Sequence, residues 1–292
     1  MTIQRRSFVT GPLAGAVSAG LARVPGASGA APAAPWIDTH VYLPRWPFRT
    51  IAGAETGQLA ARLRARGVTQ AWAGSFDAVF HKDLTAANAR LAAECAQHPG
   101  LLVPFGGVNP MLPDWEEELR RCDERFHMRG IRLHPGYHNY TLAHPDAARL
   151  LRAAARRGLL VQISAWLEDE RHQNPLMQVP AVNLAPLPSL MEQVPGLRVV
   201  VLNGFQGVPA MRKLLAACRN FPHVAFDFTR LDSLAEVRAL VNAVGIEHVV
   251  FGSYAPMFYF SASELKMREA GCTQEERRAM LAANAQRLLA AG

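Results

Sequence analysis

Eight short apolar runs, separated by longer amphipathic stretches, set the tightest limit on what this chain can fold into. The runs are Trp36–Leu43, Val68–Gly74, Leu101–Val108, Gly130–His134, Leu159–Ser164, Leu197–Asn203, His223–Phe228 and His248–Ser253. They are rich in Val, Ile, Leu and Phe. A strand covered on both faces has no solvent side, so it reads as a near-continuous apolar run rather than an alternating one. Helical patterns fill several of the gaps, at Leu84–Gln97, Asp114–Phe126, Pro145–Arg157, Pro209–Arg219 and Leu234–Val244, and Gln274–Ala290 follows the last run. Asp114 before Trp115-Glu116-Glu117 suits an acidic helix start. Eight strand–helix repeats predict an α/β fold, a single-domain (β/α)8 TIM barrel. An open doubly wound sheet is the alternative, weakened because no Gly-rich phosphate loop follows the first run.

The barrel is expected over residues 34–292, behind a leader of residues 1–33. That leader reads Arg5-Arg6-Ser7-Phe8-Val9 and then a mildly apolar Gly/Ala stretch, with small residues at Ser28-Gly29-Ala30 and Ala31-Pro32-Ala33. Twin arginines in this setting resemble a twin-arginine translocation signal, which implies a periplasmic or otherwise exported protein. A plain Ala/Gly/Pro tail is the alternative. Half the residues are hydrophobic and 19% are charged, which excludes a disordered chain. No apolar run is long and uninterrupted enough to span a bilayer, so no membrane insertion is expected of the mature form. The net charge of +7 is spread over polar helix faces, so nucleic acid is not an expected partner. A small molecule is, and self-association stays open. The cysteines form neither a CxxC nor a Cys/His cluster and read as buried thiols.

In such barrels chemistry sits where strands end. The strand-closing residues are therefore the candidates. His40 and His134 are catalytic acid/base candidates, and Asp227 is the carboxylate to pair with one of them. Tyr254 is a catalytic candidate as a phenol that donates to a developing oxyanion. Tyr42, Ser164, Asn203, Arg132 and Arg171 are substrate-binding candidates, with Arg132 as a bidentate carboxylate clamp. Each has a plainer alternative: a rim ion pair for Arg132, a quietly hydrogen-bonded imidazole for the histidines, a volume filler for the tyrosines. The longest irregular stretch, Ala165–Pro188, holds Glu168, Asp169, Glu170, Arg171 and His172 and is long enough to be a lid.

Together, Asp38-Thr39-His40-Val41, Arg45-Trp46-Pro47-Phe48-Arg49, Gly130-Ile131-Arg132-Leu133-His134-Pro135 and Phe251-Gly252-Ser253-Tyr254-Ala255-Pro256 resemble the amidohydrolase-related branch of the amidohydrolase superfamily. The resemblance implies a metal-supported barrel that hydrolyses or decarboxylates without oxidation. It implies ligands from a His-x-His on strand one, histidines after strands five and six, and an Asp on strand eight. This chain keeps His40 but has Tyr42, Ser164, Asn203 and Tyr254 at the other places. Neutral oxygens are weak Zn²⁺ ligands and a phenol must first lose its proton, so no resident metal or other cofactor is expected. A rebuilt site from His40, His134 and Asp227 is the alternative. The expected activity is hydrolysis of a small, carboxylate-bearing ester, lactone or amide without metal, and the resemblance carries a precedent for metal-independent lactone hydrolysis. The alternatives are an inactive barrel kept for binding and a metal-dependent hydrolase or decarboxylase.

Overall fold

Isoleucine, valine and leucine interleaved with Asp38, His40 and Tyr42 form the first strand, β1 (Ile37–Leu43), and all seven side chains are buried. A computed structural model describes residues 35–43, 46–204 and 207–290. The leader expected over residues 1–33 and Arg45 lie outside the described residues. Seven further strands follow: β2 (Gln70–Ser75), β3 (Leu102–Gly107), β4 (Gly130–Leu133), β5 (Leu160–Ser164), β6 (Val199–Leu202), β7 (Val224–Asp227) and β8 (Val249–Val250). They pair in parallel in chain order. The ring returns to β1 through a parallel bridge between Val41 and Ala255 and through Thr39 N–H to the Phe251 carbonyl at 2.9 Å. This is the expected TIM barrel.

The helices are α1 (Thr56–Ala65), α2 (Asp77–Phe80), α3 (Leu84–Ala96), α4 (Trp115–Arg120), α5 (Pro145–Arg156), α6 (Leu187–Gln193), α7 (Arg212–Cys218), α8 (Leu234–Val244), α9 (Phe260–Glu269), α10 (Gln274–Arg278) and α11 (Asn284–Ala290). The stretch expected as one helix over Asp114–Phe126 turns into a π-helix at Arg121–Arg125, and Asp114 holds the N-cap without a side-chain bond. The proline-rich loop after β5 ends earlier than expected, because Pro186 and Pro188 start α6 rather than prolong the loop. No helix among the described residues is long and apolar enough to cross a membrane.

Two apolar shells position the site. Ile37, Trp72, Phe105, Leu160, Val200 and Val250 fill the lower barrel, where α11 closes it with Ala285 and Leu288. The larger shell, including Val41, Ile131, Ile163 and Phe226, lies between the strands and the helices. Above the lower plug the lumen turns polar. There Gln162 Nε2 donates to the Thr39 carbonyl at 2.7 Å and its Oε1 accepts from Arg132 Nε at 2.8 Å.

Candidate functional site

The upper lumen gathers His40 and Tyr42 from β1, His134 from the end of β4, Ser164 from β5, Asn203 after β6, Asp227 from β7 and Tyr254 after β8. None of these is more than 4% exposed. His40 Nδ1 lies 2.7 Å from Asp227 Oδ2. The carboxylate is held from other sides by the Asn203 backbone N–H at 2.9 Å and the Thr229 hydroxyl at 3.0 Å. Asn203 adopts φ 53° to aim that N–H, an excursion asparagine tolerates better than most residues. Gly252 lets β8 pass close by: a Cβ there would sit 2.9 Å from both Asp227 Oδ2 and the Cβ of His40.

Asp227 accepts the Nδ1 proton, so the lone pair of His40 resides on Nε2. That nitrogen is buried and makes no hydrogen bond within the protein. Burial pushes the His40 pKa below 6.5 against the opposing pull of Asp227. The ring is therefore neutral at physiological pH and able to accept a proton.

A second chain of polar groups runs across the lumen. The Tyr42 hydroxyl lies 2.8 Å from His134 Nε2 and 3.3 Å from Ser164 Oγ. Burial drives the His134 pKa well below 6.5, so this imidazole is neutral too, and its Nδ1 has no partner. Aromatic rings roof the site. Phe76 stacks on Tyr42 at 4.4 Å, Tyr254 stacks on His40 at 4.5 Å, and Trp46, Val79 and Leu167 complete the cluster.

Three expected roles are corrected by this geometry. Arg132 does not clamp a ligand: its guanidinium is wholly buried and donates to Gln162, to the Val41 carbonyl at 2.8 Å and to the Trp72 carbonyl at 2.9 Å. Arg171 points outward, 82% exposed, and grips its neighbour Asp169. Tyr254 is not free to receive an oxyanion, because its hydroxyl donates to the Leu167 carbonyl at 2.5 Å. Sequence reasoning gave no site role to Asp38, Thr229, Gln162 and Phe76. Gln162 carried a signal, being an amide inside an otherwise apolar strand. Phe76 carried none.

The donor set suits a divalent cation poorly. His40, His134 and Asp227 do approach the same end of the barrel, but the carboxylate turns to His40 Nδ1 and His134 Nε2 turns to Tyr42. No group of three or more His, Cys, Asp or Glu side chains among the described residues is arranged to hold a metal ion.

Asp38 adds a pH-dependent element. Its Oδ1 accepts from the backbone N–H of His40 at 3.1 Å and of Ser253 at 2.9 Å, tying β1 to the end of β8. Burial raises its pKa from 3.8 to about 7. The unfolded chain releases this proton first, so stability is greatest below the unfolded value and is lost as pH rises through the folded one. The loss across that window is at most about 4 kcal/mol, and roughly half of that once the site relaxes around the charge. Asp38→Asn keeps the acceptor oxygen and removes the titration. Urea unfolding of both proteins at a series of pH values is expected to show a flatter profile for the variant; parallel profiles would refute the assignment.

Residues 37–290 match the family model described as Amidohydrolase. No curated protein matches the chain. Among solved structures, the 5-carboxyvanillate decarboxylase of Sphingomonas paucimobilis is 14% identical with a TM-score of 0.70, the match covering 88% of this chain and 99% of that one. The 2,6-dihydroxybenzoate decarboxylase from Rhizobium is 14% identical with a TM-score of 0.68, covering 88% and 98%. The 5-carboxyvanillate decarboxylase of Novosphingobium aromaticivorans, complexed with manganese and 4-hydroxy-3-methoxy-5-nitrobenzoic acid, is 13% identical with a TM-score of 0.70, covering 88% and 96%. At these identities the likeness shows the fold alone.

Proposed function

The chain belongs to the amidohydrolase family, and on that premise we propose that it is an exported hydrolase that cleaves a small, carboxylate-bearing ester, lactone or amide without a metal. One observation carries this reading: a neutral His40, oriented by Asp227, with a buried Nε2 that nothing in the protein satisfies. Buried polar atoms are nearly always paired, so an unpaired one calls for a reason. A bound reactant is such a reason.

In the proposed reaction His40 Nε2 takes a proton from water while the water oxygen adds to the substrate carbonyl carbon. Asp227 stabilises the imidazolium that forms. The carbonyl oxygen gathers negative charge and takes a hydrogen bond from the Tyr42 hydroxyl, which turns its one proton away from its long 3.3 Å bond to Ser164 Oγ while its oxygen accepts from His134 Nε2–H. His40 then returns its proton to the leaving oxygen or nitrogen as that bond breaks. No step is routed through a metal, because the donors present do not suit one. The fold's other members named above act on aromatic carboxylates, which favours a substrate of that charge.

The test uses the mature chain on a panel of lactones and aryl esters, with and without carboxylates. Turnover is expected to survive exhaustive chelation and to vanish in His40→Ala. Turnover that stops on chelation and returns with zinc or manganese would count against the reading. A second reading, a barrel that binds but does not turn over, is favoured by the stacking of Tyr254 over His40, and it predicts no hydrolysis by any form.

A further inference from the structure

The mouth of the barrel is strapped shut from opposite sides. Strands one and five of an eight-stranded ring face each other across its axis. Arg49, after β1, donates to the carboxylate of Glu168, after β5. The Tyr254 hydroxyl, after β8, lands on the carbonyl of the adjacent Leu167. Both ties therefore converge on one short segment, whose position Gln173 fixes by donating to the Glu168 carbonyl at 2.9 Å. Glu168 is 5% exposed, whereas the Arg49 side chain is 44% exposed.

Beside the strap lies a cavity of about 410 Å³ between α1 and the segment after β8. Its walls include Ile51, Leu63, Met257 and Phe258. Ile51, Met257 and Phe258 also pack on the aromatic roof, with Phe258 5.2 Å from Tyr254. One aromatic layer thus separates this cavity from His40. Three arginines line it, and two are committed. Arg62 holds the loop carbonyls of Ala52 and Gly53, and Arg66 pairs with Glu264 at 2.8 Å. Arg49 also pairs with a carboxylate, Glu168, but that pair bridges two loops of the mouth rather than α1 and α9, so a ligand carboxylate that takes Glu168's place alters the mouth.

We propose that this cavity is the entry site for an amphipathic carboxylate, whose charge displaces Glu168 from Arg49 and so releases the strap over His40. Glu168 is then an internal stand-in for the ligand's own carboxylate. An apolar body fits the aliphatic and aromatic walls, and the size is that of an ordinary small-ligand site. A neutral analogue gains the walls but cannot compete for the guanidinium. The proposal rests on the reading of a carboxylate substrate only for its consequence at His40; binding and opening are separable from turnover.

The experiment measures binding and exposure, not hydrolysis. Phenylacetate and phenylacetamide are titrated into the protein by calorimetry at low salt, and carbethoxylation of His40 is followed by peptide mapping with exposed His81 as the reference. Phenylacetate is expected to bind about tenfold or more tightly than the amide and to speed His40 labelling, with His81 unchanged. Arg49→Ala is expected to abolish the preference. Glu168→Gln is expected to tighten phenylacetate and to raise His40 labelling without ligand, and it decides the matter should Arg49→Ala fail to fold. Equal binding of acid and amide, saturation with no change at His40, or a Glu168→Gln protein that matches the wild type in both readouts would each overturn the proposal. A chain that passes these tests yet hydrolyses nothing would discard the hydrolase reading and leave the gate standing.

Discussion

Arg132→Ala is expected to destabilise the barrel by about 3–5 kcal/mol, a large share of the margin of an ordinary domain. The guanidinium sits in the centre of the lumen and donates to three neutral oxygens on β5, β1 and β2. Its carbon lies 4.5 Å from the centre of the Tyr42 ring, close enough for a cation–π contact. Gly74 is shaped to it, since a Cβ there would stand 2.4 Å from Arg132 Nη1. Truncation leaves three buried acceptors without a donor, each costing about 1–3 kcal/mol, and opens a cavity besides. Relief from burying a charge offsets part of this. Arg132→Met refills the volume and removes the charge while leaving the acceptors bare, so it is expected to lose roughly half as much. Urea unfolding of both variants measures the difference. A loss below about 1 kcal/mol for Arg132→Ala would show that these bonds do not hold the ring. A carboxylate clamp would behave differently, with stability kept and KM raised for acidic substrates alone.

The contrast between the two roles of Arg132 shows where sequence stops being informative. The barrel was legible because strands buried on both faces must be apolar throughout, and a chain has few ways to hide eight such runs. Helix α8 was expected over Leu234–Val244 from its apolar pattern and forms there, where Ser233 and Glu236 add a reciprocal cap. The run His248–Ser253 was read correctly as the eighth strand but too long: after Val250 the backbone turns aside to bond Thr39 and Met280 instead of continuing the ladder. At the site, strand ends located His40, Tyr42, Ser164, Asn203, Asp227 and Tyr254 at one end of the barrel. Which atom meets which was not legible. A long side chain such as Arg132 reaches carbonyls on strands far away in sequence, and Arg171 satisfies itself on Asp169 two residues before it. Both are outcomes of rotamer and packing, and neither leaves a mark in spacing. The stacking of Phe76 on Tyr42 likewise follows from how β2 meets β1.

Asp227→Asn is the sharpest test of the chemistry, with kcat expected to fall by about 10³–10⁴. The substitution preserves shape and an acceptor for the Asn203 N–H. It reverses the two hydrogen bonds at Oδ2, from His40 and from the Thr229 hydroxyl, which can donate to the Gly252 carbonyl instead. An amide that presents N–H to His40 Nδ1 holds the imidazole in the other tautomer, with its proton on Nε2 and no lone pair there to accept one from water. The imidazolium also loses its counter-charge. Because neither change touches substrate binding, KM is expected to move little. In the wild type, kcat/KM should rise with pH through a His40 pKa that burial places below 6.5 and then level off; the variant should lack that rising limb. Measuring kcat and kcat/KM against pH for both proteins, on the best substrate found in the ester and lactone panel, separates the outcomes. An Asp227→Asn enzyme within about threefold of wild type would mean that His40 is not the base. If, instead, His40→Ala and Asp227→Asn fall together and the double variant falls no further, the two residues act as one unit, which is what a 2.7 Å contact at the top of the lumen requires.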